Sequence, residues 1–266
     1  MHNHISLETG DSIQHIGELI LSTPFILALV SYFVSIFISI RRERPWPLYR
    51  TVFWTIGVFC CLTAVAGPLA DRAHMDFTVH MAGHLLLGML GPLLMVLGAP
   101  MTLILRALSV QQARKLTRIL RSKALGVISN PIITSILNVG GLWILYSTDL
   151  FFMMHENIFL HVIVHIHVFL AGYFFTASLI YIDPIAHRTS FLFRSIVLVL
   201  ALAGHGILSK YIYAYPPNGV PESQAQSGAM LMYYGGDMID LVLIIILCFQ
   251  WFKATKPRVT VSPLSV

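Results

Sequence analysis

Four histidines are spaced for shared chemistry. His80 and His84 stand four residues apart within the stretch 71–100, and His161 and His165 repeat that interval within 155–182. On a helix, residues four apart share one face, one turn from each other. Each pair opens an apolar run of about twenty residues, long enough to cross a bilayer. Ionisable groups at such depth are rare and commonly functional. Imidazole is the commonest protein metal ligand and suits copper, zinc, iron and nickel. Met75, Met81, Met153, Met154, Met230 and Met232 fall near the same side. Their thioethers tilt the choice toward Cu(I), the alternative being plain apolar packing.

Around the pairs, His74, Asp76 and His155 read as an entry shell, with His205 and Asp237 as further candidates. An Asp237 carboxylate beside a ligating histidine would fix the ring's tautomer, and a capping or snorkelling role is its alternative. The competing role for any membrane histidine is an interhelical hydrogen bond worth about 1 kcal/mol. For His167 or His205 taken singly that role is the expectation. Two same-face pairs on two helices argue against it for His80, His84, His161 and His165. Haem is a second possibility, since such pairs supply axial ligands. A zinc protease is not: Met81 stands where the pattern beginning at His80 needs a glutamate base, and Phe159 ends the pattern begun by His155–Glu156. No nucleophile elbow, phosphate loop or nucleotide fingerprint is present, so no catalysed reaction is expected.

The elements that must position these residues follow from composition. Of 266 residues, 56% are hydrophobic and 11% charged, and mean hydropathy is +0.77. A soluble domain carries about twice that charged fraction. The pattern predicts an all-α polytopic membrane protein, a single membrane domain of seven helices. The spans run over about 19–40, 49–69, 77–105, 130–150, 156–182, 191–211 and 228–252. Gly91-Pro92 and Gly98-Ala99-Pro100 should kink or close the third. Gly235-Gly236 suggests a local break in the seventh, and 224–227 a polar loop before it. The connector 106–123, with Leu108, Ala113, Leu116 and Leu120 at helical spacing among basic residues, reads as an interfacial amphipathic helix.

Lys and Arg follow spans one, three, five and seven: Arg41, Arg42, Arg44 and Arg50; Arg106 through Lys123; Arg188 and Arg194; Lys253, Lys256 and Arg258. The other side receives Arg72 and Lys210. The positive-inside rule then places the N-terminus outside and the C-terminus in the cytoplasm. It also explains a pI of about 9.2 without nucleic acid. The first eighteen residues lack the basic start of a cleavable signal peptide, and His2 and His4 form a small tract. Cys60, Cys61 and Cys248 lie in apolar runs as ordinary small hydrophobes.

The chain resembles the CtaG family of bacterial cytochrome c oxidase assembly factors. The resemblance rests on D-x-x-H-x-D-F-x-x-H-M-x-x-H-L-L-L over 71–87, G-P-L-L-M-V-L-G-A-P over 91–100, His155 with L-H-x-x-x-H over 160–165, and Q-x-G-x-x-L-M-Y-x-G-G over 226–236. Helix seven departs from it at Ala225, Tyr233 and Asp237. The resemblance implies a multi-pass protein of the bacterial cytoplasmic membrane that matures a haem–copper oxidase, plausibly at its buried copper centre. The resulting expectation is Cu(I) carried by His80, His84, His161 and His165 to an oxidase subunit, possibly after receipt from an extracytoplasmic donor. A haem-binding redox protein, and then a metal transporter, are the alternatives. A transporter needs polar residues through the cytoplasmic half, where these helices turn apolar.

Overall fold

A computed structural model describes residues 2–257 except 186, with side chains from residue 15 onward. His2, His4 and Arg258 therefore lie outside the described side chains. In chain order the helices are α1 (His2–Arg41), α2 (Leu48–Val65), α3 (Pro68–Ala73), α4 (Phe77–Leu85), a π-helical turn (Leu86–Leu90), α5 (Gly91–Leu97) and α6 (Pro100–Ala107). There follow α7 (Val110–Leu120), α8 (Lys123–Ile128), α9 (Pro131–Ser135), a second π turn (Ile136–Gly140), α10 (Gly141–Ser147) and α11 (Leu150–Glu156). The last three are α12 (Ile158–Leu179), α13 (Phe191–Ala214) and α14 (Glu222–Thr255). No strand occurs among the described residues.

Among the described residues, six segments are long and apolar enough to cross a membrane: His15–Arg41, Leu48–Val65, Phe77–Leu97, Ile158–Leu179, Phe191–Ala214 and Glu222–Thr255. The fourth predicted span qualifies as a seventh only as a pair, Pro131–Ser147 with Leu150–Glu156, bent by 78°. Outward-facing Leu27, Phe37, Val199, Leu200, Ile245 and Phe249 are exposed, as lipid-facing side chains of a bundle must be.

Polar caps start the helices. Asp76 accepts from the Thr78 and Val79 amides, Asn157 from Phe159 and Leu160, Asn130 from Ile132, and Ser190 from Phe193. Each cap satisfies amides that the helix itself leaves unpaired. The connector forms α7 as expected, opened by a reciprocal Ser109–Gln112 capping box and carrying no buried residue.

The third span ends at Leu97, not near residue 105. Gly91-Pro92 does not break it. Pro92 cannot donate to the Gly88 carbonyl four residues back, and the π turn absorbs the mismatch, with the Gly91 amide bonding the Leu86 carbonyl. The reversal comes at Ala99, which takes a left-handed conformation at φ +50° and sends α6 back against α1. That backbone is strained for an alanine. It is held on both sides: Tyr32 donates to the Gly98 carbonyl at 2.8 Å, and Asp183 accepts from the Met101 and Thr102 amides at 3.0 and 2.7 Å.

Gly235-Gly236 does not break the seventh span either. α14 is continuous from Glu222, and it absorbs the polar stretch 224–227 as its first turns. The glycines there serve close packing. A side chain at 236 would meet His205 Cε1 at 2.7 Å, and one at 235 would meet Leu85.

Candidate functional site

The histidine helices meet backbone to backbone. A Cβ on Gly172 of α12 would collide with the Gly88 carbonyl in the π turn after α4, and one on Gly88 would meet Val168 at 3.0 Å. Two glycines facing each other therefore let α12 and the third span approach closely, as small residues do between membrane helices. At the mouth, the Gln224 side chain accepts from the Phe77 amide at 3.0 Å. Together with Asp76 it fixes the first turn of α4 and so the direction of His80.

The aromatic contacts trace a connected cluster. His74 lies 5.2 Å from His161 and 6.1 Å from His155, ring centre to ring centre. His155 is 6.2 Å from His80, and His161 stacks on His165 at 4.0 Å. His80, His84 and His165 line one cavity with Tyr146 and Met154, of about 30 Å³. That is room for a water or a single ion. His161 stays behind His165 and does not line it. The two helices converge, and three of the four paired histidines, not all four, share the cavity.

Hydrogen bonds assign the nitrogens. His165 Nδ1 bonds the His161 carbonyl at 2.9 Å, and His155 Nδ1 bonds the Phe151 carbonyl at 2.9 Å. A carbonyl only accepts, so each Nδ1 carries the hydrogen and each Nε2 keeps its lone pair, the arrangement that prepares a ligating histidine. His80 Nε2 is 3.2 Å from the Tyr146 hydroxyl. His84 Nε2 is buried with no hydrogen-bond partner in the protein. Outside the span, burial and the neighbouring His155 imidazole hold His74 below the ordinary imidazole range, against the pull of Asp71. A neutral ring at the entrance is one able to ligate.

Among the described residues, no group of three or more His, Cys, Asp or Glu is arranged to hold a metal ion. Tyr146 occupies one His80 nitrogen. Asp76 spends a carboxylate oxygen on the α4 amides. Of the six methionines, only Met154 lines this cavity. Met81 and Met232 belong, like Met154 itself, to an apolar core with Phe77, Leu208 and Ile212, while Met75, Met153 and Met230 are exposed.

Sequence reasoning missed three residues. Tyr146 was one more aromatic in an apolar run. Asp240, not Asp237, is the buried acid of α14, while Asp237 is exposed yet within electrostatic reach of His205. Asn138 sits in the second π turn and lines a smaller cavity with His84, His205 and Asp240. A period count along α14 from Gly236, which touches His205, would have placed Asp240 on the same face one turn on.

The fold and cavity define a polytopic helical membrane protein with a histidine cluster inside the bundle. The chain belongs to the cytochrome c oxidase caa3 assembly factor family (Caa3_CtaG), whose model matches residues 30–254. It is similar to the uncharacterized protein ML1998 of Mycobacterium leprae, 33% identical over 264 residues, which cover 91% of this chain and 40% of that protein. It is also similar to the uncharacterized protein Mb0105 of Mycobacterium bovis, 35% identical over 151 residues, covering 54% of this chain and 23% of that one. The chain thus spans two fifths or less of the length of these relatives. No solved structure matches it.

Proposed function

We propose that this chain is a membrane-embedded assembly factor that takes up Cu(I) as cargo and passes it, within the membrane, to a subunit of a haem–copper oxidase. The observation that carries the reading is the small cavity where His80, His84 and His165 meet beside Met154. Its donors are neutral imidazoles and a thioether, the soft set that suits Cu(I). His161, His74 and His155 form a relay leading to it from the mouth. A ring-to-ring spacing of 4.0–6.2 Å lets an ion move between neighbouring nitrogens without leaving imidazole ligation. A transfer protein needs such exchangeable sites more than one closed tetrahedral one. No catalysed reaction is part of this reading. The basic residues at the opposite end of the bundle support an orientation with the histidine mouth on the outer face of a bacterial cytoplasmic membrane and the C-terminus in the cytoplasm. An extracytoplasmic copper donor would meet that mouth.

A cavity of about 30 Å³ favours an ion over a haem macrocycle. The test is Cu(I) titration of the detergent-purified full chain against a chelator, wild type beside His80→Ala/His165→Ala, with the visible spectrum recorded. Copper bound by wild type, at least tenfold weaker in the variant and without a Soret band, supports delivery. A Soret band lost in the variant moves the protein to the haem class. A wild type that binds neither would leave a scaffold of hydrogen-bonded histidines.

A further inference from the structure

Below the shared cavity lies a second, smaller chamber of about 20 Å³. His84 lines both. The second is otherwise formed from His205 on α13, Asp240 on α14, Met89 and Asn138 in the two π turns, and apolar residues. His84, His205 and Asp240 are each more than nine-tenths buried, at 7%, 6% and 5% exposure. Both Nε2 atoms, of His84 and of His205, lack a hydrogen-bond partner in the protein. Burying an unpaired imidazole nitrogen costs on the order of 1–3 kcal/mol, and here both residues that carry one line the same chamber.

The surroundings are built around the second ring. Gly236 is the position where any side chain would strike His205, so the glycine leaves the imidazole its place. The ring centres of His84 and His205 are 6.4 Å apart with planes 28° apart. Two imidazoles bridged end to end by one ion, at about 2.0–2.1 Å per bond, have ring centres roughly 6 Å apart.

We propose that His84 and His205 form a two-nitrogen site for a soft monovalent cation, Cu(I), with Asp240 as its counter-charge and Met89 as a neighbouring soft donor. Asp240 is the sole acid lining the chamber. One carboxylate balances one monovalent charge, whereas a divalent ion would keep net charge in a low-dielectric interior, which is costly. Two nitrogens satisfy Cu(I) but not zinc, which takes four ligands. His84 is the shared rung. Rotation of that ring passes the ion from the upper cavity to the lower one. Beyond the chamber the bundle closes on Leu93, Val96, Leu198, Leu243 and Leu247, so it is a holding site and not the start of a channel.

The inference rests on the copper reading and has its own signature. The experiment is Cu(I) loading of the full chain in detergent, counting ions per chain and recording X-ray absorption. The variants are His205→Ala, His205→Met and Asp240→Asn, beside His80→Ala/His165→Ala. Wild type should hold two ions at saturation, the upper one on His80, His165 and Met154 once His84 has turned to the lower one. His205→Ala should lose about one of them, together with the two-coordinate nitrogen signature, while the His80- and His165-dependent ion remains as proof of fold. His205→Met should restore the ion with mixed nitrogen and sulfur ligation, and Asp240→Asn should weaken it about tenfold or more. An unchanged count and signature in His205→Ala would overturn the inner site and leave the upper one standing. No copper in wild type would sink both.

Discussion

The two ends of this bundle treat polar side chains in opposite ways. At the basic end most of them are consumed by the fold. Asp183 accepts from the Met101 and Thr102 amides and the Thr102 hydroxyl, the last at 2.6 Å. Trp46 donates to the Tyr32 hydroxyl at 3.0 Å, and Tyr32 in turn to the Gly98 carbonyl. Arg194 donates to the Leu179 carbonyl, and its guanidinium lies over the Tyr181 and Phe191 rings at 4.1 and 4.3 Å. At the histidine end, buried imidazoles keep nitrogens back: His84 and His205 have an unpartnered Nε2, and His165 spends only Nδ1. The difference separates polar groups that hold the helices from polar groups that can hold something else. Burial alone does not make that distinction, and neither does an unpartnered nitrogen. Arg194 Nε and Trp54 Nε1 at the basic end are unpartnered too, but they are donors without a lone pair, whereas an imidazole nitrogen can ligate.

The largest expected effect comes from removing what joins the ends. Gly172→Ala drives a methyl into the Gly88 carbonyl, which is backbone and cannot swing away. Overpacking of this kind costs about 3 kcal/mol. A lower thermal midpoint in detergent, with loss of histidine-dependent Cu(I) binding, is expected. Full binding in a stable variant would show that the two helices need not touch there.

Next is a purely structural cut. Asp183→Ala unpairs the start of α6 beside the strained Ala99 and should cost about 2 kcal/mol. Cu(I) stoichiometry should not change, because the clamp is at the far end of the bundle. A variant of ordinary stability that failed to load copper would erase the contrast between the ends.

The smallest effect sharpens the contrast within the histidines themselves. His167 Nε2 donates to the Leu137 carbonyl of the second π turn at 3.0 Å. It is the interhelical hydrogen-bonding residue that the sequence suggests. His167→Ala should cost about 1 kcal/mol with copper binding intact. A drop in bound copper would put His167 in the relay.

His167 and His205 show where sequence reasoning stops. Each is a single histidine in an apolar run, and read alone each invites the same hydrogen-bonding role. In the structure one finds a carbonyl and the other an orphaned chamber. Asp237 and Asp240 behave likewise: one turn of α14 separates an exposed carboxylate from a buried one. Periodicity tells which residues share a face, but not which neighbour that face meets.

Much was nevertheless settled by residue order alone. Hydropathy and charge fixed the membrane class. Four-residue spacing put His80 with His84 and His161 with His165. The tertiary structure decided that Pro92 is absorbed by a π turn, that Ala99 turns the chain, and that Gly235-Gly236 makes room without breaking a helix. It also decided that Gly88 and Gly172 touch, which brings the two histidine pairs together. Those outcomes depend on contacts between residues far apart in sequence, and local spacing carries no information about the distance between two helices.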